Sequence, residues 1–224
     1  IFGASFRNIK ITDLSDAASS YNIDGFTAYY SDKIAADDNE NTALTEVNAS
    51  DYWSYDSATN SITRATTTPN AVETESYKTE WAQLTYNTRM DENLEVELDV
   101  SFGADAWKRA YIGIGAERPD THFMQEDGGI ATHLYPDGET RFNVAGNLWS
   151  KKGYSYEWRN TLPELPNVRT HHVKITVQNR LASYYVDGEL ATQWALPDWY
   201  NGGYVYFGSN SSVATFANIK INGI

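Results

Sequence analysis

The chain has 224 residues, a formal charge of −13 and no cysteine. That length can bury a full core without covalent staples and fits one large all-β domain or two small ones, while the missing cysteines exclude disulfides and thiolate metal sites. The acidity repels nucleic-acid phosphates and anionic membrane surfaces, and no apolar run approaches a membrane span.

The N-terminal stretch "ASFRNIKI", Ala4 to Ile11, nearly repeats the last strand pattern, "ATFANIKI", Ala214 to Ile221, at a constant spacing of 210 residues (Ile9 to Ile219). A tandem array with a repeat of about that length is one explanation, a pair of neighbouring strands within one domain the other. The expected organisation is residues 1–14 as the last strand of a preceding repeat or the first strand of this domain, with 15–224 as the domain proper. No leader pattern is seen, which fits a mature soluble chain or a piece of a larger one.

From Ser15 to Glu80 the chain is rich in Ser, Thr, Asn and Asp. A linker near Ser15–Ser20, one or two early strands and long loops are expected there. "DDNENT" from Asp37 reads as a polar loop, and "DYWSYDSATNSITRAT" from Asp51 as a short hairpin turning at Ala58-Thr59-Asn60.

Strand signals then dominate. In "LEVELDVSF", Leu94, Val96, Leu98, Val100 and Phe102 alternate with Glu95, Glu97, Asp99 and Ser101. "YIGIG" follows at Tyr111. "GGIATHLYPDGETRFNVAG" reads as a hairpin around Pro136-Asp137-Gly138. "HVKITVQNRLASYYVDGELATQW" reads as two more, turning at Asn179-Arg180 and Asp187-Gly188. "GGYVYFGS" and "ATFANIKI" complete the set. No segment carries a helical apolar stripe, so the fold class is all-β: a two-sheet antiparallel β-sandwich.

Seven Trp and sixteen Tyr, twice the number of Phe, supply rings with a polar tip. β proteins favour aromatics anyway, but a sugar site also wants rings for its C–H faces and fixed polar groups for its hydroxyls. The densest supply lies between Trp107 and Trp158. Arg109, Glu117, Arg118 and Asp127 are the hydrogen-bonding candidates there. Trp149, Tyr154 and Trp158, in what reads as a loop beside Ser, Lys and Gly, are the stacking candidates. A surface ion pair explains any one charge at about 0–1 kcal/mol; the cluster as a whole points to binding. Trp81 and Trp194 sit in strand pattern and read as structural, and Trp199 either caps the sandwich or lines a site.

Glu95, Glu97 and Asp99 share one face of one strand, and same-face neighbours lie roughly 6.5–7 Å apart, near the separation of about 5–5.5 Å of a retaining glycosidase. The wet face of a one-sided strand explains the same row. Lyase chemistry would draw on Gln125 and His133, by residue type alone. His171 and His172 are adjacent, so a strand turns them to opposite faces, and zinc has no ligand set. Asp, Asn and carbonyl oxygens are compatible with a structural calcium, although no loop fits the twelve-residue pattern.

The ordered segments "TEWAQLTYNTRMDENLEVELDVSFG", "GGIATHLYPDGETRF", "HHVKITVQNRLASYYVDGEL" and "GGYVYFGSNSSVATFANIKI" resemble the laminin-G-like, concanavalin A-like jelly rolls, and within them the family 66 carbohydrate-binding modules, over residues 50–224. Laminarinase-type jelly rolls carry Glu-x-Asp-x-Glu, where this chain has Glu-x-Glu-x-Asp. The resemblance implies a jelly-roll module that binds the terminal sugar of a fructan or similar polysaccharide without catalysis. It implies a secreted or wall-associated bacterial enzyme with covalently linked neighbouring domains, a monomer needing no cofactor. A shallow wet site gives weak affinity, which a tandem copy raises through effective concentration. The alternatives are a glycoside hydrolase or polysaccharide lyase on the same fold, or an adhesive repeat.

Overall fold

The computed structural model describes residues 23–34, 44–64, 79–103, 109–121, 128–135, 139–144, 157–161, 170–210 and 213–224. Two antiparallel sheets are built from them. Strands β1 (Phe26–Ile34), β2 (Thr45–Val47), β5 (Thr79–Tyr86), β7 (Ala110–Ala116), β8 (Ile130–Leu134), β9 (Glu139–Val144), β10 (Glu157–Thr161) and β14 (Tyr204–Asn210) form the first, in the order β10-β9-β8-β7-β14-β5-β1-β2. Strands β3 (Trp53–Asp56), β4 (Ser61–Arg64), β6 (Leu94–Phe102), β11 (Thr170–Gln178), β12 (Leu181–Val186), β13 (Glu189–Ala195) and β15 (Ala214–Gly223) form the second, in the order β13-β12-β11-β6-β15-β4-β3. One short helix, α1 (Ala49–Tyr52), leads into β3.

Alternation decides which face each strand buries. Strand β6 alternates buried and half-buried without a break, and Leu94, Val96, Leu98 and Val100 meet Leu84, Ile112, Ile114 and Phe207 of the facing sheet in one core. Phe216 of β15 packs against Phe207 at 4.8 Å and Trp53 at 6.1 Å, both tilted. Burying a large apolar side chain stabilises the fold by about 1.5–3 kcal/mol.

The turns follow the expected chemistry. Asn179 and Arg180 both take positive φ, 50° and 61°, and Asp187 and Gly188 take 52° and 85°, as a two-residue turn matching strand twist requires. The hairpin expected from Asp51 is β3 and β4; β1 and β2 are the early strands. Residues 1–22, the Asp37 loop and the turn at Pro136–Gly138 lie outside the described residues.

Candidate functional site

The eight-stranded sheet has a second clustered face, turned away from the core. Tyr29, Leu44, Trp81, Tyr111, Ala116, Ala131 and Tyr206 form a separate buried cluster there. Register places one row of mostly polar residues across all eight strands. Glu46 pairs with Tyr29, Tyr29 with Gln83, Gln83 with Gly208, Gly208 with Tyr111, Tyr111 with His133, His133 with Arg141, and Arg141 with Arg159.

Two glycines shape this face. A β-carbon on Gly113 would lie 1.9 Å from Tyr206 Cζ, and one on Gly208 would lie 2.6 Å from the Tyr111 hydroxyl oxygen. Each tyrosine therefore lies over the bare backbone of the neighbouring strand. Tyr111 also meets the edge of Trp81 at 5.6 Å and Tyr206 at 6.1 Å. The segment after β7 folds back on top. Gln83 Nε2 donates to the Thr121 carbonyl at 2.9 Å, Thr85 Oγ1 to the Pro119 carbonyl at 2.8 Å, and Tyr206 Oη to the Gly128 carbonyl at 2.7 Å. The middle of the face is thereby sealed: Gln83, Tyr111, His133 and Tyr206 are each 0% exposed. Burial pushes the Tyr111 phenol far above its ordinary value, against the opposing pull of Arg64 and Arg109.

Partly exposed groups flank the buried centre at the two ends, Arg109 and Tyr135 at one and Arg118, Asp120 and Tyr204 at the other. At one end Arg109, half-buried, holds its guanidinium carbon 5.4 Å from the Trp81 ring centre and 5.8 Å from that of Tyr135, a cation–π arrangement. At the other end Arg118 Nε stands 3.6 Å from Asp120 Oδ1, both accessible. Beside them burial raises the buried Tyr29 phenol, followed by the charges of Glu46 and Asp120 and by Tyr204; Glu46 is the register partner of Tyr29, and Tyr204 packs against the same cluster. The Leu44 amide bonds the Asp120 carbonyl at 3.1 Å and pins it.

The expected single cluster is thus divided. Arg109 precedes β7 and Glu117-Arg118 follow it, and a strand of seven residues, Ala110–Ala116, spans roughly 20 Å. One monosaccharide cannot touch both ends. Glu117 is exposed, and Arg118 pairs with Asp120. Asp127, Trp149 and Tyr154 lie outside the described residues, as does Gln125. Trp158 belongs to strand β10 instead of a loop. It pairs with Phe142, in the register row that continues through Thr132, Ile112, Phe207 and Leu84, the last three of them core residues. The alternation in "EWRNT" overrides the loop signal of the preceding Lys-Lys-Gly.

Sequence reasoning read Trp81 as structural, which its burial bears out, and passed over Gln83, Tyr204, Tyr206, Tyr29 and Glu46 on the same face, giving Tyr111 only as a strand residue. The signal was present: Trp81, Gln83 and Thr85 alternate with Ala82, Leu84 and Tyr86, so β5 carries an aromatic ring on its polar side.

The carboxylate row of β6 sits on the outer face of the other sheet. Glu95 pairs with Lys174 at 2.6 Å, Glu97 with Lys220 at 2.8 Å and His172 at 3.4 Å, and Asp99 with His172 at 2.7 Å. The Lys220 hydrogen bond holds Glu97 below the ordinary carboxylate range. Burial works against ionising Asp99, but hydrogen bonds from Asn218 and His172 outweigh it and leave that carboxyl lowered too. His171 turns the other way, is buried and contacts Asp187 at 2.9 Å. Among the described residues no group of three or more His, Asp or Glu is placed to hold a metal ion, and no helix is long and apolar enough to cross a membrane.

No protein-family model matches this chain, and no curated protein does. Solved structures do. The family 66 carbohydrate-binding module (CBM66) from Bacillus subtilis is similar at 14% identity over 76% of this chain and 91% of its own, with a TM-score of 0.52. Alginate lyase A1-II', of polysaccharide lyase family 7, is similar at 14% identity over 89% and 95%, with a TM-score of 0.55. The β-glucanase of Bacillus licheniformis is similar at 13% identity over 91% and 94%, with a TM-score of 0.58. What the chain shares with these binding and catalytic proteins is the fold, a concanavalin-like jelly roll of two antiparallel sheets.

Proposed function

We propose that this chain is a non-catalytic carbohydrate-binding β-sandwich of a secreted polysaccharide-degrading protein. It grips a terminal sugar, of the fructan type that its sequence resemblance implies. The observation that carries this reading is the rim at the far end of β7, where Arg118 pairs with Asp120 and where accessible Glu46, the register partner of buried Tyr29, and half-buried Tyr204 border the same cluster. A guanidinium and carboxylates there match vicinal hydroxyls, and the half-buried Tyr204 ring matches the C–H side of a sugar. The sealed centre supports binding over turnover, since Tyr111 and His133 have no surface to offer a substrate. On the other sheet, the carboxylates of β6 already hold cations.

Affinity gel electrophoresis in levan, inulin, a β-glucan and alginate tests this. A fructan should retard the chain, and Arg118→Ala should weaken retardation about tenfold, the cost of losing a charge-assisted hydrogen bond. Retardation in none of the gels, or equal retardation of the variant, removes the reading.

A further inference from the structure

We propose that Asn222–Gly223 is a site of self-modification, where asparagine converts to aspartate and isoaspartate, and that Arg89 shields Asn201–Gly202 from the same reaction. These are the two Asn-Gly pairs of the sequence, and the fold holds them in opposite ways.

The chemistry needs only water. The glycine nitrogen attacks the asparagine Cγ and gives up its proton, the carboxamide nitrogen leaves as ammonia, and a five-membered succinimide ring closes. Water opens that ring at one carbonyl or the other, yielding aspartate or isoaspartate with no change of oxidation state. Glycine favours closure because it has no side chain to crowd the ring. Two freedoms are needed: the carboxamide must swing onto the nitrogen, and the peptide joining the two residues must turn.

Asn222 has both. It lies half-buried on the outer face of β15, opposite Glu95, and no described side chain hydrogen-bonds its carboxamide. Gly223 ends the strand. The Ile224 amide bonds the Asn93 carbonyl at 3.3 Å, so the rung between Gly223 and Leu94 is the kind without hydrogen bonds of its own. The Gly223 amide therefore points away from β6. On that side β4 pairs with Thr215–Ala217 and goes no further. A β-carbon on Gly223 would meet nothing within 4 Å, so the peptide has room to turn, and strand ends open at little cost.

Asn201 has neither. Arg89 Nη2 donates to its side-chain Oδ1 at 2.9 Å, and Nη1 to its main-chain carbonyl at 3.2 Å. That carbonyl belongs to the very peptide that must turn, so one guanidinium fork fixes both reacting parts. Behind it Gly202 is wedged: a β-carbon there would stand 2.2 Å from the Met90 carbonyl oxygen. Gly203 exchanges main-chain hydrogen bonds with Met90 at 2.9 and 3.0 Å. The ring at Asn201 closes only after these contacts break. Conversion at Asn222, by contrast, creates a carboxylate directly across the rung from Glu95, a like-charge pair that a sheet disfavours.

The test incubates the full chain at mildly alkaline pH and follows both asparagines by peptide mass spectrometry. Asn222 should convert first, with Asn201 slower by about tenfold or more, the effect of hydrogen bonds to a charged group that must break before the ring closes. Arg89→Ala, a change at an exposed side chain, should speed conversion at Asn201 by a similar factor and leave Asn222 at its parent rate. Equal rates at the two sites in the parent overturn the proposal. So does an Arg89→Ala chain in which Asn201 is no faster, or in which both sites accelerate alike, since the fold as a whole and not the guanidinium clamp would then be the shield.

Discussion

Tyr206 and Tyr111 approach the neighbouring strand closely because the residues beneath them, Gly113 and Gly208, are glycines. Neither Gly113 nor Gly208 needs an unusual φ; what each supplies is space. A methyl group on Gly113 would stand inside the Tyr206 ring, and that ring is held at its far end by the Gly128 carbonyl and at its side by Tyr111. It cannot swing away without abandoning both. Gly113→Ala should therefore destabilise by about 1–3 kcal/mol, as overpacking does in a close-packed interior, read as a lower urea midpoint with an unchanged slope. Tyr206→Phe keeps the ring and removes one buried hydrogen bond, so its cost should be about 1 kcal/mol. If the alanine variant matched the parent, the close approach of Tyr206 to Gly113 would be wrong.

Strand β6 shows what an element adds to its residues. Its outer row is a line of carboxylates, and its neighbours β11 and β15 answer with Lys174, His172, Lys220 and Asn218. Glu97 and Asp99 have folded pKa values below their unattached values of 4.5 and 3.8. A depressed carboxylate adds stability that is complete above its unfolded pKa and is lost as pH falls through the folded one. Stability from this row should thus hold from neutrality to about pH 5 and then decline toward pH 3. The charged and hydrogen-bonding groups facing the two carboxylates are Lys220, Lys174, His172 and Asn218. Lys220→Met removes the largest contributor at Glu97 and should flatten the decline, measured as urea midpoint against pH. A slope identical to the parent's would deny the pairing any thermodynamic weight.

The existence of β6, β7 and the hairpins was legible, because strict alternation and paired turn residues need no partner to be read. The pairing of Glu97 with Lys220 was not: it depends on register between strands more than a hundred residues apart. Arg109 and Glu117 were grouped by the density of polar and aromatic residues between Trp107 and Trp158, although flanking a strand of seven residues means standing at its opposite ends. The sealed face depends on the 117–121 segment doubling back, which no local pattern announces.

At the scale of the whole chain, one core spans both sheets and an acidic excess surrounds it. Thirty acidic against seventeen basic side chains leave thirteen negative charges that no arrangement can pair. At 10 mM salt the screening length is about 30 Å, so these charges repel across the sandwich; at physiological salt it is about 8 Å and most of that repulsion is gone. Salt also weakens the surface pairs, but each is worth about 0–1 kcal/mol and the close ones on β6 are partly shielded from solvent. Repulsion should win. The melting temperature is expected to rise by about 2–6 °C between 10 and 300 mM NaCl, as a single transition in calorimetry because the two sheets share their interior. A melting temperature that fell with salt would mean that the cross-strand pairs, and not the net charge, govern how this acidic sandwich responds to its medium.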